Sequence, residues 1–191
     1  MGDLKTPAWR NDAFAKVTGR TRYADDLKFA NLLHAVPVYS DHVHAAIQSI
    51  DTHAAEQCEG VVRVLTARDV PGSNRHGQIV RDFRVFADDK IRYHGDVVAL
   101  VVAESREHAQ RAAELVQVHA VPLPSILDPE EAMKSDANLV HEEFGTNIIN
   151  THRVRRGNVE EALRNSDVIL EHRFETPWVE HAYMEPEAAV C

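Results

Sequence analysis

The sequence predicts a mixed α/β (α+β) fold, and three observations carry that expectation. Residues 97–103, Val-Val-Ala-Leu-Val-Val-Ala, form an unbroken apolar run of the kind found in a strand buried on both faces. Directly after it, Ala109, Ala112, Ala113 and Val116 recur on one stripe at helical spacing. Upstream, short segments of strand formers alternate with capped helical turns.

Each element has its own local signal. Residues 32–39 and 45–50 are rich in strand formers, and the polar Ser40-Asp-His42 step between them predicts a paired strand unit. Asp51 caps a short helix over 52–56, which Gly60 closes before a strand at 61–65. Thr66 and Asp69 make a further cap-like pair, and Val70-Pro71-Gly72 stops that turn at once. The run 97–103 belongs at the centre of the sheet. Ser105 then offers an N-cap, and Glu107 puts a carboxylate in the first turn, where the helix dipole favours it. The small alanines let this helix lie close against the sheet. Residues 118–123 return as a strand and complete a strand–helix–strand unit.

Asp128-Pro-Glu-Glu131 combines an N-cap, a first-turn proline and an acid, a strong helix start. From 134 to 158 the chain is polar and weakly periodic, which reads as a connection, with a domain boundary near 125–135. Asn158 with Glu161 caps a helix over 159–163. Residues 168–176 set Val168, Leu170, His172 and Phe174 against Ile169, Glu171, Arg173 and Glu175, the alternation of a half-buried strand.

Composition narrows the function. The 191 residues, 44% hydrophobic and 27% charged, supply one good core and part of a second. A net charge of −9 disfavours nucleic acid, whose phosphates call for clustered Lys and Arg. Arg153, Arg155 and Arg156 form the one tight basic cluster, and a solvated edge accounts for it. Cys58 and Cys191 are too few for a cysteine-ligated iron–sulfur cluster or a structural zinc, so any redox cluster sits on another chain. No apolar leader opens the chain and no run is long enough to span a bilayer, so a cytoplasmic location without a membrane partner is expected. Met1-Gly-Asp-Leu-Lys-Thr6 matches a loose myristoylation pattern without a second membrane signal.

The stretch from Thr176 to Cys191 packs Glu180, His181, Tyr183, Glu185 and Glu187 among apolar residues, a mixture that a solvated tail has little reason to carry. His42 and His44 share one strand face without a third ligand nearby, which favours packing over metal. Gly72 and Gly77 have phosphate-loop spacing, but Gln78 stands where a lysine is needed.

Glu180-His-Ala-Tyr-Met-Glu-Pro-Glu187 resembles the Glu-His-Ala-Tyr-Leu-Glu-Pro-Glu segment of the molybdenum-binding subunits of xanthine dehydrogenases and related aldehyde-oxidase-type molybdenum hydroxylases, with Met184 replacing the leucine. The resemblance continues in order through Asp12-Ala-Phe-Ala-Lys-Val-Thr-Gly19, Tyr39-Ser-Asp-His-Val-His-Ala-Ala-Ile47, Gly60-Val-Val62, Thr66-Ala-Arg-Asp-Val-Pro-Gly72, Lys90-Ile-Arg-Tyr-His-Gly-Asp-Val-Val-Ala-Leu-Val-Val-Ala-Glu-Ser105 and Arg156-Gly-Asn158. It implies an a/b hammerhead domain over residues 1–130, then a linker and an incomplete portion of the molybdopterin-binding domain over 131–191. It also implies an oxidoreductase that inserts a water-derived oxygen into an activated C–H bond of an N-heterocycle or aldehyde. Molybdopterin with molybdenum is implied for the full-length enzyme. The implied partners are the remainder of the molybdenum-binding subunit, iron–sulfur and FAD subunits or domains, and a second copy in a homo-oligomer.

In that family the position two before the histidine is often a glutamine near the apical oxo ligand of molybdenum. Here it is Val179, so Val179 and Glu180 are the candidate cofactor-binding residues, although valine can shape a pocket and cannot donate a hydrogen bond. The family's pterin loop uses adjacent glycines and its catalytic glutamate lies far downstream, whereas no two glycines are adjacent here. The expectation is a fragment with a scaffolding role, inactive alone, with no catalytic residue, no metal ligand and no bound cofactor of its own. Glu180, His181, Tyr183, Glu185 and Glu187 then read as partners of neighbouring backbone. Two other readings stay open: a free-standing binding or assembly protein, with its terminal strand paired internally, and a metal hydrolase built on His and Glu. The enzyme-fragment reading expects an unpaired apolar terminal segment instead.

Overall fold

In the computed structural model, which describes residues 10–183 and 187–191, the chain divides into two units, Asn31–Arg155 and the two end segments Met1–Ala30 with Arg156–Cys191. The readings at Met1 to Thr6 and at Met184, Glu185 and Pro186 lie outside the described residues. In chain order the strands are β1 (His34–Tyr39), β2 (Ala45–Asp51), β3 (Val61–Leu65), β4 (Arg75–His76), β5 (Phe83–Arg84), β6 (Lys90–Ile91), β7 (Val97–Ala103) and β8 (Gln117–Pro122). The helices are α1 (Ala13–Val17), α2 (His53–Glu56), α3 (Arg106–Ala113), α4 (Pro129–Ala132) and α5 (Val159–Arg164).

The apolar run becomes β7 and sits at the centre of an antiparallel sheet ordered β1-β7-β3, as its pattern predicts. Val101 pairs with Val36 on one side and Val64 on the other. Val98, Ala99, Val101 and Ala103 are fully buried. Ala109 and Ala112 of α3 are buried in the same core, with Ala55 of α2 and Val64 of β3. Methyl side chains at these positions bring the helix backbone close to the sheet, so the core depends on close approach more than on bulk.

Helix starts follow the sequence closely, because a cap is a contact between neighbours. Ser105 Oγ accepts from the His108 amide at 3.1 Å, and Asp128 Oδ1 accepts from the amides of Glu130 at 2.7 Å and Glu131 at 3.1 Å. Asn158 Oδ1 accepts from the Glu161 amide at 3.2 Å, and the Thr66 amide donates to Asp69 Oδ2 at 2.9 Å. Asp51 Oδ1 accepts from the His53 amide at 2.9 Å, ahead of α2.

Two expectations are corrected. First, β1 and β2 do not pair: β1 joins β7, while β2 lies between β6 and β8 in a second antiparallel sheet. The polar step after β1 is held elsewhere, since the Ser40 amide donates to Asp96 O and the Gly95 amide to Ser40 O, both at 2.9 Å. Those bonds fasten the end of β1 to the approach of β7 and turn the chain away from a hairpin. β8 follows α3 as expected but enters the other sheet, antiparallel to β2.

The segment 134–158, read as a connection, carries local order of its own. The first unit runs to Arg155, and Asn147 gathers its loop by accepting from the Val140 amide at 2.9 Å and donating to Ala132 O and Asn138 O at 3.1 and 2.9 Å. Second, 168–176 forms no strand, with Leu170 91% and Phe174 88% exposed. Alternation prepares two faces, but a strand also needs a neighbour to take its backbone hydrogen bonds. No described strand pairs with this segment. No helix among the described residues is long and apolar enough to cross a membrane.

Candidate functional site

The terminal run has no regular secondary structure and faces solvent throughout its described part. Val179 is exposed, and Glu180 Oε1 accepts from the amide of the next residue, His181, at 2.9 Å. The His181 Nδ1 lies 3.7 Å from the same oxygen. Tyr183 hydrogen-bonds to Glu187, which pushes its phenol pKa up. Glu185 lies outside the described residues. Ala182 turns the chain with a φ of 49°, a left-handed conformation that few non-glycine residues adopt. These side chains do not converge. A valine without a donor and a carboxylate spent on its neighbour's amide do not fit a molybdopterin by themselves.

His42 and His44 stay apart in role as well. The His44 Nδ1 donates to Pro124 O at 2.7 Å, a contact that ties β2 to the end of β8. Among the described residues no group of three or more His, Cys, Asp and Glu side chains gathers closely enough to hold a metal ion.

A different region of the first unit does converge, and sequence reasoning missed it. A cavity of about 420 Å³ lies between β5, the turn from Arg92 to Asp96, and the loop from Ala132 to Ile149. Its apolar wall includes Val80, Phe83, Tyr93, Val140, Phe144 and Ile148. The ring of Phe83 stacks on His76 at 5.7 Å and meets Tyr93 edge-on at 6.2 Å. β4 and β5 pair antiparallel, and Asn74 steadies this ribbon by pairing with both backbone groups of Phe86, donating to its carbonyl at 2.8 Å and accepting from its amide at 3.0 Å.

Around that wall sit three largely buried cations. Lys90 Nζ donates to Glu142 Oε1 at 2.6 Å and to Leu139 O at 3.4 Å. Arg92 grips Asp89 through two nitrogens at 3.0 and 3.2 Å, and Arg84 reaches Asp88 at 3.2 Å. Arg75 holds Glu143 at 2.8 Å. Burial acts to raise the Asp89 carboxyl, but the Arg92 guanidinium, the hydrogen bond with Asp88 and a backbone amide together outweigh it and leave the pKa lowered to about 2. The Lys90 hydrogen bond holds the Glu142 carboxyl below its usual range. Asp96 moves the other way, raised by burial even though it accepts from the Arg92 amide at 3.1 Å. His141 is held below its ordinary pKa by burial first, then by Arg92 and Arg84, against Glu143 and Asp82. The available signal was the density of charge in 81–96, where aspartates and basic residues crowd around Phe83, Phe86 and Ile91.

Comparison with known proteins bears on the whole chain. Residues 18–124 match the family model of the aldehyde oxidase and xanthine dehydrogenase a/b hammerhead domain, and residues 140–191 match that of the molybdopterin cofactor-binding domain. The chain is 40% identical over 182 residues to a probable xanthine dehydrogenase subunit of Bacillus subtilis, covering 95% of itself and 24% of that protein. It is 32% identical over 179 residues to the nicotinate dehydrogenase large molybdopterin subunit of Eubacterium barkeri, covering 94% of itself and 42% of that protein. The chain therefore spans less than half the length of these curated relatives. Among solved structures, the aldehyde oxidoreductase of Desulfovibrio gigas superposes with a TM-score of 0.69 at 32% identity, over 83% of this chain and 19% of that one. A Cu,Mo-CO dehydrogenase gives a TM-score of 0.68 at 36% identity, over 78% of this chain and 19% of that one. The motif resemblance, the central β7 with α3 against it, and a family match over more than half the sequence agree: the chain belongs to the aldehyde oxidase and xanthine dehydrogenase a/b hammerhead family.

Proposed function

We propose that this chain is the hammerhead shoulder of a molybdenum hydroxylase large subunit of the xanthine-dehydrogenase type, a scaffold for an oxidoreductase and not its reacting centre. One observation carries the reading: the part that matches a cofactor-binding domain leaves Leu170, Phe174, Trp178 and Val179 exposed in one stretch without regular structure. Apolar surface of that extent calls for a cover. In this proposal the cover is the remainder of a molybdenum-binding subunit, which also supplies the pterin cradle and the carboxylate that takes the proton. Val179 and Glu180 then face that seam, the valine giving shape and the glutamate a charge.

Residues 1–130 act as the hammerhead domain and 131–191 as the lead into the cofactor domain. Iron–sulfur and FAD subunits or domains accept the electrons, since two distant cysteines offer no cluster site here. The assembly is a cytoplasmic homo-oligomer. No chemical step is assigned to the residues of this chain, because those present do not fit the cofactor unaided.

The test is reconstitution. The purified chain, supplied with molybdenum cofactor, is assayed for dye reduction with hypoxanthine and with aldehydes, and no turnover is expected. Coexpression with a complementary large-subunit polypeptide should yield a complex in which Trp178 fluorescence shifts to the blue. Turnover by this polypeptide alone would overturn the scaffold role.

A further inference from the structure

The cavity of the first unit takes no part in the scaffold role, and its ligand chemistry is independent of that role. At about 420 Å³ it suits one small organic molecule. Its lining joins the flat faces of Phe83, Tyr93 and Phe144 to the side chains of Arg84 and Arg92. Those two guanidinium side chains are only 6% and 4% exposed. Asp88 takes the Arg84 Nε, while Asp89 and the Lys90 carbonyl take the terminal nitrogens of Arg92. Arg84 Nη1 and Arg92 Nε are left buried without a hydrogen-bond partner. His141 Nδ1, on the same lining, is also left so. Of the five such side-chain atoms among the described residues, three thus belong to this one wall.

Three carboxylates stand at or near the wall: Asp82 and Asp96 line it, and Glu143 Oε1 lies 3.9 Å from Arg84 Nη2, which leaves Arg84 Nη1 and Arg92 Nε as the nitrogens without a partner. Asp96 accepts from the Arg92 amide, and Glu143 accepts from Arg75 at 2.8 Å. Aromatic faces next to spare guanidinium donors define a recognisable preference, because a guanidinium pairs best with a planar oxyanion and the rings pack best on another ring. We propose that this cavity binds a planar aromatic acid, its ring among Phe83, Tyr93 and Phe144 and its anionic group taken by the spare donors of Arg84 and Arg92. The loop that carries Glu142 and Glu143 forms one side of it, and Ile149, largely exposed, marks the rim.

Fluorescence titration of the full chain tests this with two probes of one shape, anionic 1-anilinonaphthalene-8-sulfonate and neutral N-phenyl-1-naphthylamine. The expected result is a saturable site for one molecule of the sulfonate, bound about tenfold tighter than the neutral probe, the worth of one charge-assisted hydrogen bond. Arg92→Gln should remove most of that preference while the neutral probe binds as before. Ile148→Trp, which fills the cavity, should abolish the saturable phase for both probes and leave only the background from exposed apolar surface. If Arg92→Gln fails to fold, the two-probe comparison and Ile148→Trp still decide. Equal affinity of the two probes for the unaltered chain, or saturable binding that survives Ile148→Trp, overturns the proposal.

Discussion

Lys90 and Glu142 lie 52 positions apart, and the ammonium of one donates to the carboxylate of the other at 2.6 Å. The pair is asymmetric: the Lys90 side chain is 7% exposed and that of Glu142 is 66%. That asymmetry fixes which half of the pair the protein can lose.

Removing the acid leaves an ammonium in the interior with only the Leu139 carbonyl, whereas removing the base leaves a carboxylate that water can solvate. Glu142→Ala should therefore cost about 1–3 kcal/mol and Lys90→Met less than about 1 kcal/mol. Urea unfolding of the two variants checks the order, and equal losses would refute it.

Gly60 sits at φ +75° where a Cβ would overlap the imidazole of His108. Gly60→Ala should cost about 1–2 kcal/mol for the left-handed backbone alone, with the clash added. Combining it with His108→Ala should recover the clash and leave the backbone cost. A double variant no more stable than the single one would show that the imidazole is not in the way.

The Asp89 carboxyl, at about 2 in the folded chain against 3.8 for the free group, is a depressed acid. Its contribution is complete above the unfolded value and disappears as pH falls toward the folded one. Asp89→Asn should be the less stable protein at neutral pH and should lose less between about pH 4 and pH 2. Acid unfolding followed by circular dichroism reads the difference, and parallel curves would contradict it.

His141 is a depressed base, lowered from 6.5. As pH falls below 6.5 the unfolded chain takes up its proton first, so stability present at higher pH is lost on the way down through the folded value. His141→Gln should flatten the decline between about pH 7 and pH 5. Denaturant midpoints across that range are the measurement, and an unchanged slope would place the titration elsewhere.

Whatever depends on near neighbours was legible in the sequence. Ser105 with His108, Asp128 with Glu130, and Asn158 with Glu161 are contacts across two or three residues, and each formed as its spacing indicates. The central place of β7 was legible because a strand covered on both faces needs no polar side. Pairing was not legible: β1 and β2 are equally good strands, and only the Ser40 and Asp96 backbone bonds decide that they part. β4, β5 and β6 have two residues each, too few for any period to show. The cavity escaped for a related reason, since Glu142 and Glu143 look like solvated acids until Lys90 and Arg75 are brought to them. The terminal alternation at 168–176 is a true pattern that makes no strand, because the partner it needs is not among the described residues.

The order of the first sheet has one more outcome, for synthesis. β7 lies between two strands that both precede it in the chain, and Ala103 closes on His34 and Val61 together. A ribosome that has released the polypeptide as far as Asp96 has delivered both flanks of a sheet whose middle is still in the exit tunnel. Until Val97–Ala103 emerges, the nascent chain must carry two open edges that cannot satisfy each other.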